Sequence, residues 1–205
     1  MIRLDRDGPV WVLTLDRPDK ANSLTRAMLV QIRDAAAEAE QAGIAAFVLT
    51  GTGRVFSAGA DIEAARAGLA TDGVWEEVSA RIARLPCLTV AALNGTLAGG
   101  AFGMALACDL RLAVPGASFF YPVMKLGFLP QPSDPGRLTA LVGPARAKMI
   151  LMAGQKIDAE TALAWGLVDR LVPAEALLDE ARALTEAPSA APEHIRRTIK
   201  RMVPG

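Results

Sequence analysis

The hydrophobic and polar positions of the first fifty residues follow the two periods of an α/β protein. Residues 2–6 and 10–15 alternate between polar and apolar side chains around the turn dipeptide Asp7-Gly8, which predicts a β-hairpin. Residues 26–41 place apolar side chains at helical spacing behind Thr25, a residue type that caps helix N-termini. The short apolar run 46–50 then indicates a buried strand of a parallel sheet.

Segments of both kinds continue to alternate along the rest of the chain. Residues 51–61 (GTGRVFSAGAD) read as a glycine-rich loop, and residues 124–135 as a loop rich in proline and glycine. Further strands are predicted at 88–93, 111–114, 118–120 and 168–172, and further helices at 75–85, 99–107, 144–152, 159–165, 174–186 and 192–202. Strands that alternate with helices indicate an α/β domain with a helix-rich end.

Residues 87–108 carry no charge, and this stretch is long enough to cross a membrane. Gly95, Gly99 and Gly103 also have the G-x-x-x-G spacing of membrane-helix dimers. However, the turn dipeptide Asn94-Gly95 interrupts the stretch, and no belt of Trp or Tyr flanks it. A buried strand, a turn and a buried helix are therefore favoured over a membrane span, and no membrane partner is predicted.

Composition narrows the class of protein further. The chain has 205 residues, of which 52% are hydrophobic, enough for one domain with a sizeable core. Lys and Arg number 22, as do Asp and Glu, so there is no basic excess to bind a nucleic acid. Two cysteines favour a reduced, cytoplasmic protein, and a single histidine argues against a zinc site or a histidine-based triad.

Two strand-to-helix junctions could carry chemistry. Residues 47–50 lead into the small residues 57–61, and residues 90–93 lead into a second glycine-rich segment, 94–100. Small residues let a ligand approach the backbone, and a helix that starts there points free N–H groups at it. Two such junctions, brought together, would offer two N–H donors to one oxygen, an oxyanion hole suited to acyl or enolate chemistry. The alternative is that both loops are simply tight connections.

Phosphate-binding motifs do not account for these glycines. The nucleotide P-loop requires Lys and Ser or Thr directly after its second glycine, but Ala101 and Phe102 follow Gly100. The dinucleotide fingerprint requires a third glycine where this chain has Phe56.

Four segments resemble the enoyl-CoA hydratase/isomerase family, also called the crotonase superfamily. They are LDRPDKANSLT (15–25), VFSAGADI (55–62), LNGTLAGGAFGMALACDLRLA (93–113), and the stretch from LGFLPQPSDPGRL to WGLVDRLVP (126–173). The resemblance implies an α/β fold of the crotonase-like kind, a spiral of ββα units. It divides the chain into a core domain, residues 1–173, and a shortened helical C-terminal segment, residues 174–205. It also implies a homotrimer or hexamer.

The same resemblance implies a chemistry and a set of site residues. It implies a coenzyme A thioester as the substrate, with its carbonyl oxygen held by the backbone N–H groups of Ala60 and Gly100. No metal is implied, and no cofactor beyond the coenzyme A of the substrate. The residues placed along the coenzyme A path are Lys20, Asn22, Ala58, Asp61 and Ile62. Asp61 is also expected to cap the helix that follows the first loop.

The chain departs from the family pattern at its acid/base positions. Hydration needs two carboxylates, and the resemblance places them where this chain has Gly103 and Val123. Asp134 is the only carboxylate between residues 124 and 137, so it is the first candidate for the acid/base, with Gln131 as a polar partner. The alternative for Asp134 is an ordinary turn residue before proline.

Two further residues near these positions are expected to have structural rather than catalytic roles. Tyr121 is expected to be a packed strand residue, and Glu63 a solvated residue at a helix start.

Three functions remain open at this point. The first is an acyl-CoA enzyme, a lyase or isomerase, that stabilises a thioester enolate. The second is a pseudoenzyme that binds acyl-CoA without turnover, which the loss of both carboxylates motivates. The third is a thioester hydrolase or decarboxylase, which needs the same oxyanion hole but fewer carboxylates.

Overall fold

The computed structural model describes residues 1–203 and shows two sheets surrounded by helices. The strands are β1 (Ile2–Asp5), β2 (Val10–Leu15), β3 (Ala46–Gly51), β4 (Val55–Ser57), β5 (Leu88–Leu93), β6 (Thr96–Ala98), β7 (Leu110–Ala113), β8 (Ser118–Phe120), β9 (Ile157–Asp158) and β10 (Arg170–Leu171). The helices are α1 (Arg26–Gln41), α2 (Ile62–Arg66), α3 (Val74–Ala83), α4 (Phe102–Leu106), α5 (Val123–Leu126), α6 (Asp134–Val142), α7 (Pro144–Leu151), α8 (Ala159–Trp165), α9 (Leu177–Ala183), α10 (Glu186–Ala190) and α11 (Glu193–Met202). Short 3-10 turns lie at Pro18–Lys20, Leu69–Thr71 and Gly99–Ala101.

From β3 to β8, successive strands join the larger and the smaller sheet in turn. The larger sheet has the order β1-β2-β3-β5-β7-β10 and is parallel except for the β1–β2 hairpin. The smaller sheet has the order β4-β6-β8-β9, with β9 antiparallel to β8. The pairs β3–β4, β5–β6 and β7–β8 each place one strand in each sheet before a helix follows, which is a spiral of ββα turns. The α/β prediction is confirmed.

Helix α1 shows how the sequence pattern becomes packing. The Thr25 hydroxyl accepts a hydrogen bond from the Met28 N–H at 3.3 Å, which confirms the predicted cap. The side chains of Leu29 and Ile32 are fully buried, and α1 packs against α3. Burial of an aliphatic side chain of this size stabilises the folded state by about 1.5–3 kcal/mol.

The uncharged stretch 87–108 folds as strands β5 and β6 followed by α4. Gly95 is needed there because a Cβ at this position would lie 2.1 Å from the Arg54 carbonyl oxygen. Close approach of two backbones therefore explains this glycine without a membrane helix. Among residues 1–203, no helix combines the length and the apolar character required to cross a bilayer.

Several elements differ from the sequence prediction for local physical reasons. Helix α6 begins inside the predicted loop 124–135, because Pro135 occupies the first turn, where its missing N–H has no helical partner to lose. The predicted helix 174–186 is limited to α9, and a separate helix, α10, begins at Glu186. Pro188 can offer no N–H to the Leu184 carbonyl, so one helix does not run through both segments. Strands β4, β6 and β9 are only two or three residues long, too short to show an alternating pattern in the sequence. They are identified as strands by their pairing with other strands. The last two residues of the predicted C-terminal segment lie outside the described range.

Candidate active site

Two glycine-rich loops, one after β4 and one after β6, meet at the same point. Gly59 has φ +90° and Gly99 has φ +58°, backbone conformations that favour glycine. A Cβ at Gly59 would lie 3.0 Å from the Ala98 carbonyl oxygen and 3.5 Å from the Gly100 nitrogen. The structure therefore brings together the two junctions that the sequence singled out, and leaves no room for a larger residue between them.

The N–H groups of Ala60 and Gly100 are held at this meeting point. The Ala60 N–H donates no backbone hydrogen bond among residues 1–203. Gly100 lies in the 3-10 turn Gly99–Ala101, and the first N–H groups of a helical turn have no acceptor within it. The residues on both sides of Ala60 are fixed, since the Gly59 oxygen accepts from the Leu24 N–H, and the Asp61 N–H donates to the Leu24 oxygen, each at 2.8 Å. Two half-buried donors thus remain available for a ligand oxygen.

The Trp75 side chain packs against the backbone of the second loop, which follows β6. A Cβ at Gly100 would lie 3.2 Å from the Trp75 ring, so the indole packs directly against this backbone. The ring is buried and is itself held by a 2.8 Å hydrogen bond from its Nε1 to the Leu69 oxygen. Helix α3, which carries Trp75, therefore fixes the position of the Gly100 N–H.

Asn22 ties the first loop to its surroundings. Its buried side chain donates from Nδ2 to the Thr52 and Val55 oxygens at 2.9 and 2.7 Å, and its Oδ1 accepts from the Arg17 N–H at 2.8 Å. The Asn22 carbonyl also accepts from the Ser57 hydroxyl at 2.8 Å. The Asn22 side chain is thus occupied by the backbone of neighbouring loops, and its contact with coenzyme A stays a prediction.

Asp61 caps α2, as predicted. Its Oδ1 accepts from the N–H groups of Glu63 and Ala64 at 3.1 and 3.3 Å, and its Oδ2 accepts from the Arg17 guanidinium at 2.8 Å. The hydrogen bond from Arg17, followed by that from the Ala64 N–H, holds the pKa of Asp61 below its ordinary value. The Glu63 side chain is exposed, in keeping with its expected solvated position at a helix start.

The other residues predicted for coenzyme A lie on the surface beside these loops. Lys20 and Ala58 are exposed, and Ile62, the first residue of α2, has 70% of its surface accessible. Their contact with a ligand stays a prediction.

Asp134 lies directly against Gly103, the position where the resemblance places a hydratase carboxylate. Asp134 is in the first turn of α6 and is 1% exposed. A Cβ at Gly103 would lie 2.9 Å from its Oδ1 and 3.4 Å from its Oδ2. The carboxylate of Asp134 therefore fills the space that a side chain at position 103 would enter. Val123, at the second carboxylate position, is a buried apolar residue.

Tyr121 and Gln131 complete the surroundings of this carboxylate. The Tyr121 hydroxyl donates to Asp134 Oδ2 at 2.9 Å, and its ring stacks on Phe102 of α4 with centroids 5.3 Å apart. Gln131 is buried and contributes backbone groups: its N–H donates to the Tyr121 hydroxyl at 3.4 Å and its oxygen accepts from the Asp134 N–H at 3.0 Å. Oδ1 of Asp134 is buried and lacks a hydrogen-bond partner among the described residues.

Burial raises the pKa of Asp134 to about 7. The hydrogen bond from Tyr121 and the nearby Arg137 charge lower this pKa, while the charge of Glu76 raises it, so burial is the dominant cause. Burial likewise raises the pKa of the Tyr121 hydroxyl, which stays protonated and acts as a donor. A carboxyl group that titrates near neutral pH can both take and return a proton.

Sequence reasoning missed two partners of Asp134. Tyr121 was expected to be a packed strand residue, and it is buried, but its hydroxyl also reaches the carboxylate. Glu76, in the first turn of α3, accepts hydrogen bonds from the N–H and the hydroxyl of Ser133, the residue before Asp134. Acidic residues are common in the first turn of helices, where they are usually solvated. The sequence therefore did not indicate that Glu76 contacts Ser133.

We expect the buried carboxyl to make stability depend on pH. The folded state binds the proton of Asp134 more tightly than the unfolded chain, whose Asp pKa is about 3.9. The stabilisation is therefore complete below about pH 4 and is lost as the pH rises through about 7. Urea unfolding of the wild type and of Asp134→Asn should show their difference in unfolding free energy moving by about 2–3 kcal/mol toward the wild type between pH 8 and pH 5. A difference that stays constant over this range would contradict the raised pKa.

Comparisons with known proteins find relatives of similar sequence and similar fold. A family model described as enoyl-CoA hydratase/isomerase matches residues 5–204. A probable enoyl-CoA hydratase of Mycobacterium tuberculosis is 36% identical over 186 residues, 89% of this chain and 72% of that protein. A carnitinyl-CoA dehydratase of Citrobacter koseri is 36% identical over 191 residues, 90% of this chain and 73% of that protein. The crystal structure of an enoyl-CoA hydratase from Bacillus anthracis matches with a TM-score of 0.90 and 30% identity, covering 98% of this chain and 81% of the other.

Proposed function

The chain belongs to the enoyl-CoA hydratase/isomerase family and has its crotonase-like fold, and on this premise we propose that it transfers protons at the acyl group of a coenzyme A thioester. The observation that carries the proposal is the carboxylate of Asp134 in the space beside Gly103. The resemblance to the family implies a carboxylate on α4 where this chain has Gly103, and the carboxylate of Asp134 on α6 lies within 2.9 Å of where a Cβ at Gly103 would be. The site therefore keeps an acid/base group where the family pattern alone would suggest that none is left.

The two loop N–H groups supply the electrostatic part of the proposed mechanism. In the proposed mechanism the thioester carbonyl oxygen accepts hydrogen bonds from the N–H groups of Ala60 and Gly100. The Ala60 N–H has no backbone acceptor among residues 1–203, and Gly100 lies in a 3-10 turn whose first N–H groups have no acceptor within it. These donors stabilise the negative charge that develops on that oxygen as an enolate forms. Loss of one such donor typically costs about 3–4 kcal/mol of transition-state stabilisation.

Asp134 supplies the proton transfer. Its ionised carboxylate takes a proton from the α-carbon, the C–H electron pair moves into the enolate, and the charge goes to the carbonyl oxygen. The protonated carboxyl then returns the proton to the same carbon or to another carbon of the conjugated system. One carboxyl group is enough for exchange or isomerisation, whereas addition of water needs a second group to activate the water. Isomerisation is therefore the reaction that these residues support best.

Proton exchange in heavy water tests the proposal. The protein is incubated with short and medium acyl-CoA and enoyl-CoA thioesters in heavy water, and the thioesters are weighed by mass spectrometry. Deuterium incorporation, at the α-carbon or at the carbon that is reprotonated when a double bond moves, is the expected result. Free coenzyme A or loss of CO₂ would identify the hydrolase or decarboxylase alternative instead. Binding without any change of mass would favour the pseudoenzyme.

Assembly as a homotrimer or hexamer stays a prediction from the resemblance to the family.

A further inference from the structure

Ser133 occupies the position before the first turn of α6 but does not cap that helix. A serine at this position normally accepts a hydrogen bond from an N–H of the first turn, and here its side chain makes no such bond. Instead, its hydroxyl donates to Glu76 Oε1, and its N–H donates to Glu76 Oε2 at 3.1 Å. The Glu76 carboxylate therefore connects the start of α6 to α3, and the Ser133 hydroxyl does not cap α6.

Helix α3 contacts both halves of the proposed site through neighbouring residues. Trp75 packs under Gly100, and Glu76 holds the residue next to Asp134. The position of the backbone donor and the position of the acid/base carboxyl are thus set by the same turn of one helix. A displacement of α6 relative to α3 would change the distance between the two groups that must act on one thioester, and misplacement of this kind is costly in catalysis.

We propose that Glu76, held by both polar hydrogens of Ser133, is a positioning residue that fixes Asp134 relative to the Gly100 loop and keeps a second negative charge beside it. Its catalytic meaning rests on the proposed function. Glu76 itself is half-buried, and its carboxylate oxygens are engaged by Ser133, so it acts through Asp134.

Three polar or charged groups face Asp134 from the elements packed around it. The Tyr121 hydroxyl follows β8, the Arg137 guanidinium lies on α6 itself, and the Glu76 carboxylate lies on α3. Helix α4 presents Gly103 on this side. Tyr121 and Arg137 favour the ionised carboxylate, whereas Glu76 opposes ionisation and so raises the pKa of Asp134. Removal of the Glu76 charge should therefore make Asp134 more acidic.

The experiment titrates Asp134 directly. The full-length protein is labelled with ¹³C at the side-chain carboxyl of aspartate, and Asp134→Asn assigns the resonance. In Glu76→Gln, which keeps the size and an acceptor oxygen, we expect the Asp134 midpoint to fall by about half a pH unit or more. The matched control is Glu77→Gln, the neighbouring residue of α3 whose exposed carboxylate pairs with Arg33, and it should leave the midpoint unchanged.

A second variant separates placement from charge. Ser133→Ala keeps the Glu76 charge but removes one of its two hydrogen bonds, and it should lower kcat for α-proton exchange at least three-fold without changing KM. An Asp134 midpoint that is the same in Glu76→Gln and the wild type would overturn the inference, even if the variant melts at a lower temperature. Because the titration needs no substrate, a shifted midpoint supports the inference even if the wild type shows no exchange, a result that would count against the proposed function alone.

Discussion

Replacement of Asp134 by asparagine is expected to lower the rate of α-proton exchange by about 10²–10⁴-fold, the usual contribution of a general acid/base. Asparagine has nearly the same shape, and its Oδ1 can still accept the hydrogen bond from the Tyr121 hydroxyl that now reaches the carboxylate. The amide cannot take a proton near neutral pH, so only the chemical step is lost. Binding of the thioester should therefore change by less than about three-fold, since the N–H groups of Ala60 and Gly100 are untouched.

The measurement is deuterium incorporation over time, together with calorimetric binding of the same thioester. Asp179→Asn is a suitable control, because Asp179 is an exposed aspartate in the first turn of α9 and the same chemical change is made outside both loops and outside α4 and α6. Exchange that proceeds equally well in Asp134→Asn would show that another group moves the proton. In that case the carboxyl beside Gly103 would be a structural feature only.

The elements that the sequence predicted are those whose signals are local. Thr25 precedes a helical apolar period, and it caps α1 in the structure. The run 46–50 has the continuous hydrophobicity of a strand buried on both faces, and it becomes β3 in the middle of the parallel sheet. Strands β4 and β6 have no such signal, because each is three residues long and exists through pairing with a strand far along the chain.

The same distinction between local patterns and contacts of distant segments applies to the candidate site. The motifs that contain Ala60 and Gly100 are short segments with a recognisable pattern, so both loops could be named from the sequence. Asp134 could be named by elimination, as the one carboxylate in its loop. Its contact with Gly103 joins residues 31 positions apart in the sequence and depends on how α4 packs against α6. Side-chain period and composition do not carry that information.

This contact also leads to a test by exchange of the two residues. Gly103→Glu alone places a Cβ 2.9 Å from Asp134 Oδ1 and a second carboxylate in the same buried space. Overpacking and an unpaired buried charge should together destabilise the fold by about 3 kcal/mol or more, measured by urea unfolding. Asp134→Gly alone should retain the fold but lose exchange, because the carboxyl is gone.

The double variant Gly103→Glu/Asp134→Gly should recover both properties. The glycine at 134 opens the space, and the glutamate fills it from α4. The double variant should therefore lose about 2–3 kcal/mol less unfolding free energy than the sum of the losses in the two single variants. Exchange should rise at least ten-fold above that of Asp134→Gly. Gly103→Gln/Asp134→Gly is the matched control, with the same volume but no carboxyl, and it should be folded and inactive. If the glutamate and glutamine double variants were equally stable and equally inactive, the carboxyl of Asp134 could not be regarded as a replacement for one at position 103. Recovery with glutamate alone would show that the site requires a carboxyl in that space, whichever helix supplies it.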